Sequence, residues 1–174
     1  MVEIKPPATY AVNGGYKIFL AGSIEMGKAI DWQTKVAEAF KDIRDVFILN
    51  PRRDDWDASW EQSIENVKFN EQVSWELSSL ENADLIIYYF VPGTQSPISL
   101  LEFGLYANTG KNVWVCCPEG FWRKGNIDIV CDRYHVPLFT NIDHMIGELK
   151  RYVPIWMEAS TRPVTWPKIT FNRT

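Results

Sequence analysis

Two apolar runs, ADLIIYYF at residues 83–90 and NVWVCC at residues 112–117, constrain this chain more than any other feature. A strand with one face in water alternates apolar and polar residues. These runs hardly alternate, which is the pattern of parallel strands covered by helices on both faces. Parallel neighbours need a long crossover, and the stretch VPGTQSPISLLEFGLYANTGK between them reads as a loop followed by a helix. Three further runs, YKIFLAGS, VFILN and VPLF, have the same β-rich, apolar character. Helical spacing appears in AIDWQTKVAEAFKDIRD through Ile30, Val36, Ala37, Phe40 and Ile43, and again in NIDHMIGELKRY. From Ala58 to Ala83, the residues Trp60, Ile64, Val67, Val73, Leu77 and Leu80 fall at steps of three, four and six, which predicts one long helix with that stripe inward, broken near Asn70. The expectation is an α/β fold of five strand–helix units with a mostly parallel, five-stranded sheet.

A chain of 174 residues with 46% hydrophobic content suffices for one core. We expect a single domain with its core at about residues 16–152 and a C-terminal tail at 153–174. The net charge of -4 and pI near 5.2 provide no electrostatic footprint for duplex nucleic acid or an anionic membrane, so a small molecule is the expected partner. No stretch approaches the roughly 18 apolar residues of a membrane span, and MVEIKPPATY lacks the layout of a signal peptide, so a cytoplasmic location is expected. Cys116, Cys117 and Cys131 form no CxxC pair and read as reduced core thiols, while His135 and His144 have no partner at metal-ligand spacing. Asp54, Asp55 and Asp57 invite a metal, but an Asx turn or helix cap at Asp57 accounts for part of that run.

Open parallel sheets bind ligands beyond the carboxyl ends of their strands. The loops AGSIEMG, NPRRDDWD, VPGTQSP and PEGFWRKGN stand there, and Trp56 in the second is a candidate platform for a flat ring. Glu102 is the one acid in SPISLLEFGLYA. Either Ser99 and Glu102 form a capping box, or Ser96 caps with Pro97 at the first helical position and Glu102 lies beyond the cap. In the second case the helix's positive end favours an ionised carboxylate suited to attack a sugar carbon. A second carboxyl, Glu76, borders the predicted buried stripe of its helix. Partial desolvation there would raise its pKa and suit it to proton donation.

The segments IFLAGSI, WELSSLENADLII, SPISLLEFGLYANTGK and CPEGFWRKGNIDI occur in the order found in the nucleoside 2-deoxyribosyltransferase superfamily, which the chain resembles from about Lys17 to Phe139. The resemblance implies a flavodoxin-like three-layer α/β sandwich that breaks the N-glycosidic bond of a nucleoside or nucleotide, with no cofactor and no metal. LLEFGLYA resembles the motif of the nucleophile, which would be Glu102. Glu76 stands eight residues before Asp84, where the family has its other acid. The resemblance implies substrate contacts at Phe19, Gly22, Ser23 and Ile24 of IFLAGSI, at Ser96, and at Asn126, which would reach across a subunit boundary in a homodimer or higher homo-oligomer. Asp54 and Trp56 of the second loop are further candidate contacts by their position alone.

Ser96 resembles the phosphate-binding serine of the deoxynucleoside 5'-monophosphate N-glycosidases, where transferases usually carry Asp. Glu25, however, replaces the arginine that follows GSI in those hydrolases, and a carboxylate repels phosphate. Arg52, Arg53, Arg123 or Lys124 are alternative sources of positive charge. The expectation is a retaining enzyme that prefers free deoxynucleosides. The alternatives are a monophosphate hydrolase, an NAD-glycohydrolase-like enzyme and a catalytically silent nucleotide sensor.

Overall fold

In the computed structural model, residues 1–10, 14–25 and 29–161 are described. The strands are β1 (Val2–Ile4), β2 (Tyr16–Gly22), β3 (Val46–Leu49), β4 (Leu85–Tyr89), β5 (Asn112–Cys116) and β6 (Leu138–Phe139). The helices are α1 (Trp32–Phe40), α2 (Val67–Asn82), α3 (Pro97–Tyr106), α4 (Lys124–Tyr134) and α5 (Ile142–Thr161). The sheet has six strands in the order β1-β3-β2-β4-β5-β6, and every pairing is parallel. Without β1, this is the flavodoxin-like doubly wound order, with the chain reversing direction across the sheet between β2 and β4. Five strands were expected from the sequence. The sixth, β1, escapes notice because VEI is only three residues long and Pro6 and Pro7 follow closely.

Both side-chain parities of the central strands are buried, which is why their sequences do not alternate. Ile18 and Leu20 of β2, Ile87 and Tyr89 of β4, and Trp114 of β5 face α1 and α5, where Trp32, Val36, Phe40, Met145 and Leu149 meet them. Phe19, Ala21, Ile86, Tyr88, Val113 and Val115 face the other way, toward Leu80 of α2, Phe103 of α3 and Ile127 of α4. Each large apolar side chain fully buried in these layers contributes roughly 1.5–3 kcal/mol.

Local chemistry sets the helix starts. Asp31 caps α1 by accepting from Thr34 N at 3.2 Å, which leaves Ile30 exposed outside the helix. The long helix expected from Ala58 begins only at Val67, capped by Asn66, whose side chain accepts from Phe69 N at 3.0 Å. Before it, Asp57 and Ser63 accept from Ser59 N and Glu65 N, so short polar side chains divert the backbone into turns. The predicted inward stripe is also corrected. Ile64, Val67 and Leu77 are exposed, and the buried residues of α2 are Gln72, Ser79 and Leu80. The inner face of this helix carries polar residues that an amphipathic reading assigns to water.

At the other end, α5 continues past Tyr152 to Thr161, with Val153 in the core. Residues 162–174 of the expected tail, like residues 26–27 of the first loop, lie outside the described residues. Among the described residues no helix is long and apolar enough to cross a membrane.

Candidate active site

At the carboxyl end of β2 the chain passes so close to β4 that a Cβ on Gly22 would lie 2.4 Å from the Tyr89 carbonyl oxygen, and φ there is +141°. Only glycine fits. Ser23 follows, fully buried, and its hydroxyl lies 2.7 Å from Thr94 Oγ1 and 2.6 Å from Ser96 Oγ while accepting from Val91 N at 2.9 Å. These contacts tie the first loop to the loop after β4.

The capping alternatives for α3 are now resolved. Ser96 is the N-cap residue and Pro97 opens the helix, but Ser96 adopts a left-handed conformation and its hydroxyl makes no cap bond. Ser99 donates instead to the Gly22 carbonyl at 2.8 Å, so it forms no capping box with Glu102.

That bond orients α3 so that Glu102 faces inward, 7% exposed. Burial, and then the charge of Glu76, push its carboxyl up to about 8. Desolvation therefore outweighs helix-dipole stabilisation of an ionised Glu102. Glu76, from the inner face of α2, is half-buried, and desolvation of its carboxyl raises it to about 7 against the opposing hydrogen bond from Gln72. Two carboxyls far apart in sequence thus feel each other in a desolvated place. Their protons leave in two steps that belong to the pair, and between the steps one carboxyl is ionised and one is an acid. The buried Tyr88 hydroxyl feels Glu102's charge and has no hydrogen-bond partner among the described residues.

Gln72 and Tyr88 were not singled out in the sequence. Gln72 is spaced i,i+4 from Glu76 on one helix, a signal that could have marked it. Nothing local marks Tyr88, which lies in an apolar strand.

The remaining candidates are dispersed. Phe19 is buried in the core, with its ring 6.4 Å from that of Trp75. Ile24 is half-buried in the first loop and its carbonyl accepts from Ala29 N. Trp56 is half-buried and packs edge-on against Trp60 at 5.1 Å, with its indole N–H buried and unpartnered among the described residues. Asp54 is exposed and paired with Lys5 at 2.7 Å, Asp55 pairs with Arg53, and Asp57 caps a turn, so the three carboxylates of that run do not converge. Asn126 is exposed in the first turn of α4. Of the alternative cations, Arg53 is held by Asp55 at 2.6 Å and Glu71 at 2.9 Å, Lys124 by Asp128 at 2.7 Å, Arg52 reaches Gln33 and the Ala29 carbonyl, and Arg123 lies over the Trp122 ring. Cys116, Cys117 and Cys131 are free and buried, their thiols pushed up to about 12 by desolvation.

Glu25 bridges back to the loop after β4. Its carboxylate accepts from Gln95 N at 2.7 Å and Ser96 N at 2.8 Å, just ahead of α3. Backbone amides at a helix start form a natural anion cradle, and here the protein's own carboxylate fills it.

No curated protein sequence matches this chain. Among solved structures, it is similar to a conserved protein from Enterococcus faecalis V583, with a TM-score of 0.56 and 12% identity over 79% of this chain and 98% of that one. A likeness at that identity concerns the fold alone. Residues 15–121, which hold β2 to β5 together with Glu76, Ser96 and Glu102, match the family described as nucleoside 2-deoxyribosyltransferase like, and the chain belongs to that family.

Proposed function

We propose that the protein cleaves or transfers at the N-glycosidic bond of a deoxynucleoside by a retaining route. The observation that carries this reading is the electrostatic coupling of Glu76 and Glu102, both desolvated, beside the carboxyl ends of β2 and β4. In the singly ionised pair burial leaves the proton more on Glu102 than on Glu76, and the reaction proceeds from the other tautomer, with Glu102 the anion and Glu76 the acid. Glu102 attacks C1' and forms a C1'–O bond. The C1'–N electrons leave with the base, which takes the proton held by Glu76. A second base then resolves the glycosyl-enzyme in a transfer, and water resolves it in a hydrolysis, with Glu76 now accepting the proton of the nucleophile. Incubation with deoxynucleosides and their monophosphates, with and without a second free base, followed by chromatography, tests the reading. Intact substrates throughout would overturn it.

Glu25 supports a preference for a neutral 5' end. A phosphate within about 4 Å of its carboxylate would cost on the order of 4 kcal/mol at an effective dielectric of 20, against roughly 1 kcal/mol from one serine hydrogen bond. Free deoxynucleosides are therefore expected to exceed their monophosphates in kcat/KM by at least about a hundredfold, and Glu25→Arg to shift that preference toward the monophosphate. Base release by the wild type from monophosphates alone would refute this.

The homo-oligomer is supported by the outer face of α3. Ile98, Leu101 and Leu105 are 59%, 61% and 52% exposed there, one apolar stripe on the helix whose inner face carries Glu102. Leu101→Asp is expected to convert a dimer or larger species into monomer in light scattering and to lower activity. A wild type that is monomeric and fully active would sink the assignment.

A further inference from the structure

Gln72 is buried on the inner face of α2, and its amide nitrogen donates both to the Pro51 carbonyl and to Glu76 Oε1, each at 2.9 Å. The orientation of this amide follows from its neighbours. A backbone carbonyl only accepts, so the nitrogen must face Pro51, and the remaining N–H then points at Glu76. The amide oxygen is left buried with no partner among the described residues. An unpaired buried oxygen is costly, and an amide serving only to pack would not need to accept that cost.

We propose that Gln72 is a positioning residue for Glu76: anchored on the Pro51 carbonyl, it fixes the carboxyl's rotation and reserves Oε2 as the oxygen that carries the proton to the departing base. The proposal rests on the reading of Glu76 as the acid. A proton on Oε1 would confront the Gln72 N–H, so the acid form holds its proton on Oε2. As the C1'–N bond breaks, that proton passes to the base nitrogen, and the negative charge left on Glu76 is met by the N–H already aimed at it. Such charge-assisted hydrogen bonds are stronger than neutral ones, so the contact tightens as the reaction proceeds. The anchor is on the loop after β3 and the acid on α2, so Gln72 also couples the position of that loop to the acid.

Two variants test this. Gln72→Met keeps the side-chain length without the donor, and Gln72→Asn keeps the amide but is one methylene too short to reach Glu76. For natural deoxynucleosides, each is expected to lower kcat by about ten- to a hundredfold with KM changed less than about threefold. A deoxyriboside with a good leaving group is expected to lose less than about threefold, since it needs little protonation. Carboxyl-carbon NMR of Glu76, recorded without substrate, is expected to show titration at higher pH in both variants, because the lost donor favoured the ionised form. Equal losses on both substrate classes, or an unchanged Glu76 titration, would overturn the proposal. If Gln72→Met does not fold, Gln72→Asn is judged by the same criteria. Should the wild type process no nucleoside at all, the N-glycosidic reading falls, while the NMR titration still decides whether Gln72 controls Glu76.

Discussion

Glu102→Gln is expected to abolish turnover and, at neutral to alkaline pH, to make the protein more stable. Loss of a covalent nucleophile costs several powers of ten in rate, and the isosteric amide leaves the surrounding contacts in place. The stability effect follows from linkage. The carboxyl titrates near 4.5 in the unfolded chain and is pushed up to about 8 in the fold, so the native state binds more protons across that interval. Its favourable contribution is fully present below pH 4.5 and is lost as pH rises through 8. A neutral glutamine has no such loss. The melting temperatures of wild type and variant should therefore converge near pH 4 and separate by several degrees at pH 9, corresponding to an advantage on the order of 2–4 kcal/mol for the variant. Melting profiles that stay parallel across this range would show that Glu102 is not desolvated. Wild-type turnover by the variant would remove it as the nucleophile.

Glu76→Ala should lower kcat for natural deoxynucleosides by about a hundred- to ten-thousandfold, and for substrates with good leaving groups far less. The wild-type pH profile should be bell-shaped, because the doubly protonated pair lacks a nucleophile and the doubly ionised pair lacks an acid. With both carboxyls raised, to about 7 and about 8, the optimum belongs near neutrality or slightly above, not in the ordinary carboxylate range. In Glu76→Ala the alkaline limb should disappear, and the acid limb should move to lower pH because the neighbouring charge that raises Glu102 is gone. Equal losses on both substrate classes, with the alkaline limb retained, would take the acid role from Glu76.

The parallel sheet was legible because burial on both faces removes the polar alternation from a strand, and ADLIIYYF and NVWVCC carry that signature openly. β1 was not legible, since three residues at a sheet edge hold too little pattern. The start of α2 was misjudged for a different reason: Asp57, Ser63 and Asn66 bind nearby backbone amides, and those local bonds outcompete an apolar spacing that continues through them. Its inward face was misjudged because Gln72 and Ser79 are buried there on polar partners, Gln72 on the Pro51 carbonyl and on Glu76, Ser79 on the Tyr10 hydroxyl, and a hydrophobic stripe predicts no polar residue inside.

What the sequence determined by itself is the layered parallel architecture, the placement of loops beyond the carboxyl ends of the strands, and the two acids together with the family they resemble. These are local patterns or short motifs, and a local pattern survives without knowledge of what packs against it. Only the tertiary structure decided the electrostatic state of those acids, the seating of Glu25 on the amides of Gln95 and Ser96, and the bond from Gln72 to Glu76. Desolvation and hydrogen-bond direction depend on which groups from distant segments surround a side chain, and no spacing along one segment records that.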